Sequence, residues 1–213
     1  MKGMLITFEG GEGAGKTTHA ELFKNYLNER GLSFFATREP GGTDFSEAVR
    51  ALTKDMRFQD KDPVSELMLF EAARADIVSK RVIPALNEGK IVLMDRFYDS
   101  TTVYQSFGRG LNRKDVETMN RIAAQGLVPD LTIYLRIPQE EAFSRKGGVD
   151  KNDAIERSGY EFHQRIRQGF DLLAKENKGR FLVVDSSQPI KQVFEQITSA
   201  FEKKYNQKKR KEK

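Results

Sequence analysis

The chain has 213 residues, 38% of them hydrophobic, and no cysteine. That size fits one domain with an ordinary core, and the missing cysteines exclude disulfides and thiol catalysis. No run reaches the length of a membrane span and no signal-peptide pattern opens the chain, which fits a cytoplasmic protein. The formal net charge is +5, yet residues 203–213 hold seven basic residues and one acidic residue, a net of +6, so the rest of the chain stands at −1. The basic excess therefore reads as a solvated, disordered tail over 206–213 on a single domain of 1–205, and nucleic acid is not an expected partner.

The first element is an apolar, β-prone run, Met4–Phe8. It leads into Gly10-Gly11-Glu12-Gly13-Ala14-Gly15-Lys16-Thr17, a complete GxxxxGK[ST] phosphate loop, and Thr17–Arg30 then reads as a helix. Strand, loop and helix in that order make the motif informative. Its backbone N–H groups can cradle phosphate oxygens, helped by the helix start, with Lys16 reaching the outer phosphates and the Thr17 hydroxyl holding Mg²⁺. A nucleoside triphosphate is the ligand this predicts.

Next come a strand at Ser33–Thr37, a helix at Asp44–Met56 and a long helix at Val64–Asn87 that Pro84 should bend. A third strand at Ile91–Met94 is followed by a helix at Arg113–Gln125 and a strand at Leu131–Leu135. The glycine-paired stretch Gly147–Asp153 reads as a mobile loop between helices. A helix at Gly159–Glu176, a strand at Phe181–Val184 and a helix at Ile190–Tyr205 complete the pattern. Five short, nearly continuous apolar runs alternating with helices predict a doubly wound α/β domain, its parallel sheet buried on both faces.

Functional residues of such sheets gather at the carboxyl ends of the strands. The second strand delivers Thr37-Arg38-Glu39-Pro40-Gly41-Gly42 there, and the third delivers Asp95-Arg96-Phe97-Tyr98-Asp99-Ser100. Arginine suits a bidentate grip on phosphate, and Asp95 ends its strand where an NTPase keeps the carboxylate that orients Mg²⁺. Two arginines beyond the loop imply a second anionic group facing the triphosphate, hence transfer onto a monophosphate. Such an acceptor is already ionised near neutral pH and needs no strong base. The two histidines, His19 and His163, read as packing or surface residues.

The segment Phe8–Thr18 resembles the opening of bacterial thymidylate kinases. So do Thr37–Gly42, Leu69–Ala75, Asp95-Arg96-Phe97 running on to Tyr104-Gln105, Gly126–Leu135 and Asp185–Pro189, so that the resemblance covers residues 4 to about 205. It implies a P-loop nucleoside monophosphate kinase fold, a five-stranded parallel sheet flanked by helices with a mobile lid near 146–157. It implies ATP as donor, dTMP as acceptor, Mg²⁺, a place in dTTP biosynthesis and a homodimer formed through helices.

By position, the resemblance assigns Gly10 to Thr18 and Gln188 to ATP. Arg38 and Arg96 would clamp the dTMP phosphate, with Glu39, Ser100 and Thr101 in the same pocket. Phe70 would stack on thymine, Arg74 would bond its edge, and Gln105 would meet the base from the other side. Tyr104 would crowd the position of a ribose hydroxyl, and Glu12 would approach the acceptor. Read from spacing alone, Phe70 and Arg74, four apart on a helix, fit equally a core aromatic and its covering arginine.

The lid departs from the family pattern. Family members place a catalytic arginine either in the phosphate loop or in a lid reading Asp-Arg-x-Glu. Here the loop has none and the lid reads Asp153-Ala154-Ile155-Glu156. The cations left are Arg145, Lys146, Lys151 and Arg157; Arg145 is expected to serve the donor phosphates or adenine, with Lys151 as helper. Two alternatives stay open: a kinase for another nucleotide, and an NTP-driven switch or ATPase that uses the basic tail.

Overall fold

A computed structural model describes residues 3–145 and 159–211. The expected lid, with Lys146, Lys151, Asp153–Glu156 and Arg157, lies outside the described residues. Five parallel strands, β1 (Met4–Glu9), β2 (Phe34–Arg38), β3 (Ile91–Asp95), β4 (Leu131–Arg136) and β5 (Phe181–Asp185), form one sheet in the order β2-β3-β1-β4-β5. Register pairs Ile6 with Leu93 and Leu131, and Phe8 with Asp95 and Ile133. The ends of β1 and β3 therefore open side by side.

Along β1 the side chains alternate between faces. Met4, Ile6 and Phe8 join a core with Phe23 and Leu27 of α1 (Lys16–Glu29) and Val193, Ile197 and Phe201 of α9 (Ile190–Lys211). Leu5 packs on the opposite face with Val92, Met94, Ile77 and Phe97. Thr7 and Glu9 share that second face and are wholly buried, so the sheet is polar beneath the site. Burial on both faces holds only for β1, β3 and β4. The expectation fails at β2 and β5, which are half-exposed because they are the sheet's two edges.

The helix expected over 64–87 is three pieces. Helix α3 (Pro63–Ile77) passes through a widened π-turn at Val78–Val82 into α4 (Ile83–Asn87). Pro84 lacks the N–H that would reach Lys80, and its ring would crowd that carbonyl; the widened turn admits it. Helices α2 (Asp44–Lys54), α6 (Arg113–Ala123) and α8 (Gly159–Glu176) fall close to expectation, and α7 (Gln139–Arg145) leads up to the undescribed residues. A helix absent from the sequence reading, α5 (Tyr98–Thr101), continues as a second π-turn over Thr102–Gly108. The β-branched run Thr101-Thr102-Val103 is a poor helix former, and only packing makes it helical.

Of the basic tail expected to be disordered over 206–213, residues 206–211 are helical and residues 212–213 lie outside the described residues. Helix α9 runs to Lys211. Lys208 Nζ reaches both oxygens of Asp130 at 2.8 Å, and Asp130 Oδ2 accepts the Leu5 N–H at 2.9 Å. The helix is thus tied to the entry of the central strand.

Candidate active site

The phosphate loop bridges the end of β1 and the start of α1. Gly13 (φ 73°) sits where a Cβ would lie 2.3 Å from the Ala142 carbonyl oxygen, and Gly15 (φ 85°) stands at the helix start in the left-handed region. Both positions require glycine. Ala14 is buried, and its carbonyl accepts a hydrogen bond from Ser186 Oγ at 2.6 Å, tying the loop to the end of β5. The Lys16 ammonium is folded against the loop, donating to the Gly10 and Gly11 carbonyls at 3.2 and 2.8 Å. Burial, with Arg96 nearby, lowers its pKa against the pull of Glu12, Asp95 and Glu9.

Beside the loop, Thr17 Oγ1 donates to Asp95 Oδ2 at 2.9 Å. One hydroxyl and one carboxylate are hard oxygen donors of the kind Mg²⁺ takes while keeping water and phosphate as its other ligands. Among the described residues no group of three or more His, Cys, Asp or Glu side chains is placed to hold a metal ion. Thr17 and Asp95 are the residues that would hold it, and the ion would neutralise phosphate charge.

A cleft of about 1010 Å³ runs from this loop to α3 and α8. Arg38, Glu39, Phe70, Arg74, Arg96, Ser100, Thr101, Tyr104, Gln105, Arg145 and Gln188 all line it, together with Glu12, Gly13, Gly15, Lys16, Thr17 and Thr18. Gly10, Gly11 and Ala14 do not. Their carbonyls accept hydrogen bonds from Lys16, Arg96 and Ser186 instead.

Arg96 adopts φ 71°, a strained conformation for a non-glycine residue that costs roughly 1–3 kcal/mol. The surroundings over-determine it. Its N–H bonds the Phe8 carbonyl at 3.0 Å, and its Nη1 reaches the Gly10 carbonyl at 3.0 Å and Ser100 Oγ at 3.1 Å. Nη2 pairs with Glu12, and the guanidinium stacks 5.2 Å from the centre of the Tyr104 ring. Burial opposes the charge, but Tyr104, Glu12, Asp95 and Glu9 outweigh it and keep the guanidinium protonated. Under this turn, Glu9 accepts the Phe97 N–H at 2.8 Å and the Ser100 hydroxyl at 2.5 Å. Burial, then the nearby Asp99, raises the Glu9 pKa to about 8.

Arg38 is half-exposed and paired with Glu47 of α2 at 2.8 Å, while Glu47 also accepts the Gly42 N–H at 2.9 Å. Arg74 is 2% exposed, makes four hydrogen bonds to protein acceptors and is ion-paired with Glu39. Nε and Nη2 reach Glu39 Oε2 (2.9 and 2.8 Å), Nη1 reaches Glu71 and Asn120 (2.8 and 2.7 Å), and Nη2 also reaches Thr101 (2.7 Å). A base-edge contact from Arg74 competes with Glu39, Glu71, Asn120 and Thr101 for its donors. Burial raises Glu39 to about 7 against the pull of Arg74. Arg145 pairs with Glu141 at 2.7 Å.

The family model for thymidylate kinase matches residues 8–197. The chain belongs to the thymidylate kinase family. A thymidylate kinase of Thermoanaerobacter sp. strain X514 is 41% identical over 203 residues, covering 95% of this chain and 99% of that one. One from Chlorobaculum tepidum is 41% identical over 208 residues, with 93% and 97% covered. The crystal structure of thymidylate kinase from Ehrlichia chaffeensis superposes with a TM-score of 0.77 at 33% identity, over 95% of this chain and 99% of that one. The family makes the chain an enzyme, a phosphotransferase.

Within this thymidylate kinase frame, several cleft residues escaped the sequence reading. Glu66, Arg109 and Phe162 line the cleft beside Gln105, and Arg50 and Lys54 line it beside Arg38. Glu9 supports the turn after β3, and Ser186 supports the phosphate loop. Arg50 and Lys54 follow Arg38 on an amphipathic helix and carried a weak signal as cations. The others act through neighbours that only the tertiary structure supplies. Both histidines are buried: His19, bonded to the Gly15 carbonyl at 2.9 Å, also lines the cleft, and His163 lies edge-on to Phe143 and Phe162.

Proposed function

We propose that this enzyme transfers the γ-phosphoryl group of ATP to dTMP, giving dTDP and ADP, with Mg²⁺ supplied alongside the nucleotide. The observation that carries the reading is one continuous cleft with a phosphate loop at one end, Arg38 and Arg96 on its wall and Phe70 and Gln105 beyond them. The dimensions suit two nucleotides meeting phosphate to phosphate. Loop N–H groups and Lys16 hold the donor, while Arg38 and Arg96 hold the acceptor phosphate for in-line attack. Positioning and charge neutralisation supply the catalysis, since a phosphate monoester needs no base. Gln188 and Arg145 stand at the donor end, Tyr104 at the acceptor sugar.

A panel of nucleoside monophosphates assayed with ATP for ADP release tests the reading. The highest kcat/KM is expected for dTMP; strong preference for another base would overturn it. We also infer a homodimer. Phe45 and Leu52 of α2, Val64 and Met68 of α3 and Ile122 of α6 are exposed apolar side chains on three helices that pack in that order. Sedimentation at micromolar concentration should give twice the chain mass.

A further inference from the structure

We propose that Glu66, braced by Arg109, is a positioning residue that sets base selectivity by locking the Gln105 side-chain amide with its carbonyl toward the cleft. The inference rests on the dTMP reading above. Glu66 and Phe70 lie four apart on α3 and share a face. Gln105 and Arg109 face them from the second π-turn and its end, where the Arg109 N–H bonds the Tyr104 carbonyl five residues back at 2.9 Å. Gln105 Nε2 donates to Glu66 Oε2 at 3.1 Å. Arg109 donates to the same carboxylate through Nε at 3.1 Å and Nη2 at 3.3 Å, while its guanidinium lies 5.3 Å from the centre of the Phe162 ring.

An amide can be turned either way, but the Glu66 carboxylate, paired with Arg109, offers acceptor oxygens, so the NH₂ faces Glu66. That leaves Gln105 Oε1, and not its NH₂, as the atom without a partner. It is buried and has no hydrogen-bond partner in the protein, and Gln105 itself is 1% exposed on the cleft wall. A buried acceptor without a partner is costly and awaits a donor. The thymine N3–H is such a donor, set between two carbonyls. Cytosine presents a lone pair at the same ring position and would meet the Gln105 carbonyl with repulsion. Selectivity then comes from a disfavoured wrong pairing as much as from the right one.

The test measures kcat and KM for dTMP and dCMP in the full chain, wild type and variants. Glu66→Gln can donate as well as accept and releases the amide to turn. It should cut the dTMP-to-dCMP ratio of kcat/KM by about tenfold or more, through KM for dTMP. In a Gln105→Ala background the same change should leave the ratio where Gln105→Ala put it. An unchanged ratio in Glu66→Gln, or an equal shift in both backgrounds, would overturn the proposal. Should thermal melts show that Glu66→Gln does not fold, Glu66→Asp keeps the charge for Arg109 while withdrawing from Gln105, and the same ratio decides. A wild type that prefers a monophosphate other than dTMP overturns the dTMP reading first, and this inference with it. A wild type that prefers dTMP beside an unresponsive Glu66→Gln overturns this inference alone.

Discussion

Arg96 shows how much arrangement one side chain can require. Its strained φ, the Glu9 carboxylate beneath it and the Ser100 hydroxyl beside it hold a guanidinium at the mouth of the phosphate loop. Arg96→Ala should cost about 2–4 kcal/mol in transition-state stabilisation, read as kcat/KM for dTMP. A loss below roughly 1 kcal/mol would contradict the clamp role. Asp95→Asn should raise the Mg²⁺ concentration needed for half-maximal rate, because Thr17 alone then offers the ion a poorer seat. Arg145→Ala should lower kcat by more than about tenfold if that side chain meets the donor phosphates, and a rate within a fewfold of wild type would sink the assignment. The arginines, the loop and Asp95 were legible in the sequence because each ends a predicted strand or sits in a motif of fixed spacing. Glu66 and Glu9 were not, since a carboxylate that works by turning a neighbour leaves no spacing of its own.

At the level of elements, the five strands were readable to within about a residue because an apolar run between helices admits few other interpretations. The misreadings have physical causes. A strand's place at the edge depends on its partners and not on its own residues, so β2 and β5 looked as buried as β1. The π-turn before Pro84 and the helix at Tyr98–Gly108 arise where packing overrides propensity. The charge of the last residues predicts a solvated end, yet Lys208 finds Asp130. Deleting residues 206–213 removes that part-exposed pair, an interaction on the order of 0.2–1 kcal/mol. The melting temperature should fall by about 1–4 °C with kinase activity at 25 °C retained. Retained activity, without hydrolysis stimulated by nucleic acid in the full chain, would also dispose of the tail-driven ATPase alternative.

For the molecule as a whole, the buried carboxylates set how stability follows pH. Glu9 is raised to about 8 by burial and Asp99, so the folded state keeps a proton that the unfolded chain releases from about 4.5 upward. Its contribution is full below the unfolded value and is lost as pH rises through 8; Glu39, raised to about 7, adds to the same slope. The melting temperature should decline between pH 5 and 8, and Glu9→Gln should flatten that decline. A profile unaltered by Glu9→Gln would show that the group ionises as easily folded as unfolded.

The ion pairs Arg38–Glu47, Arg96–Glu12 and Arg74–Glu39 have a consequence for the encounter with substrate. Each of these arginines already carries a countercharge, so at a distance of a Debye length they offer a dianion little net field. Capture is sorted at contact, by exchanging one carboxylate for a phosphate oxygen, and not by attraction from afar. The association rate for the acceptor, followed by stopped flow, should therefore vary only weakly between low and physiological ionic strength.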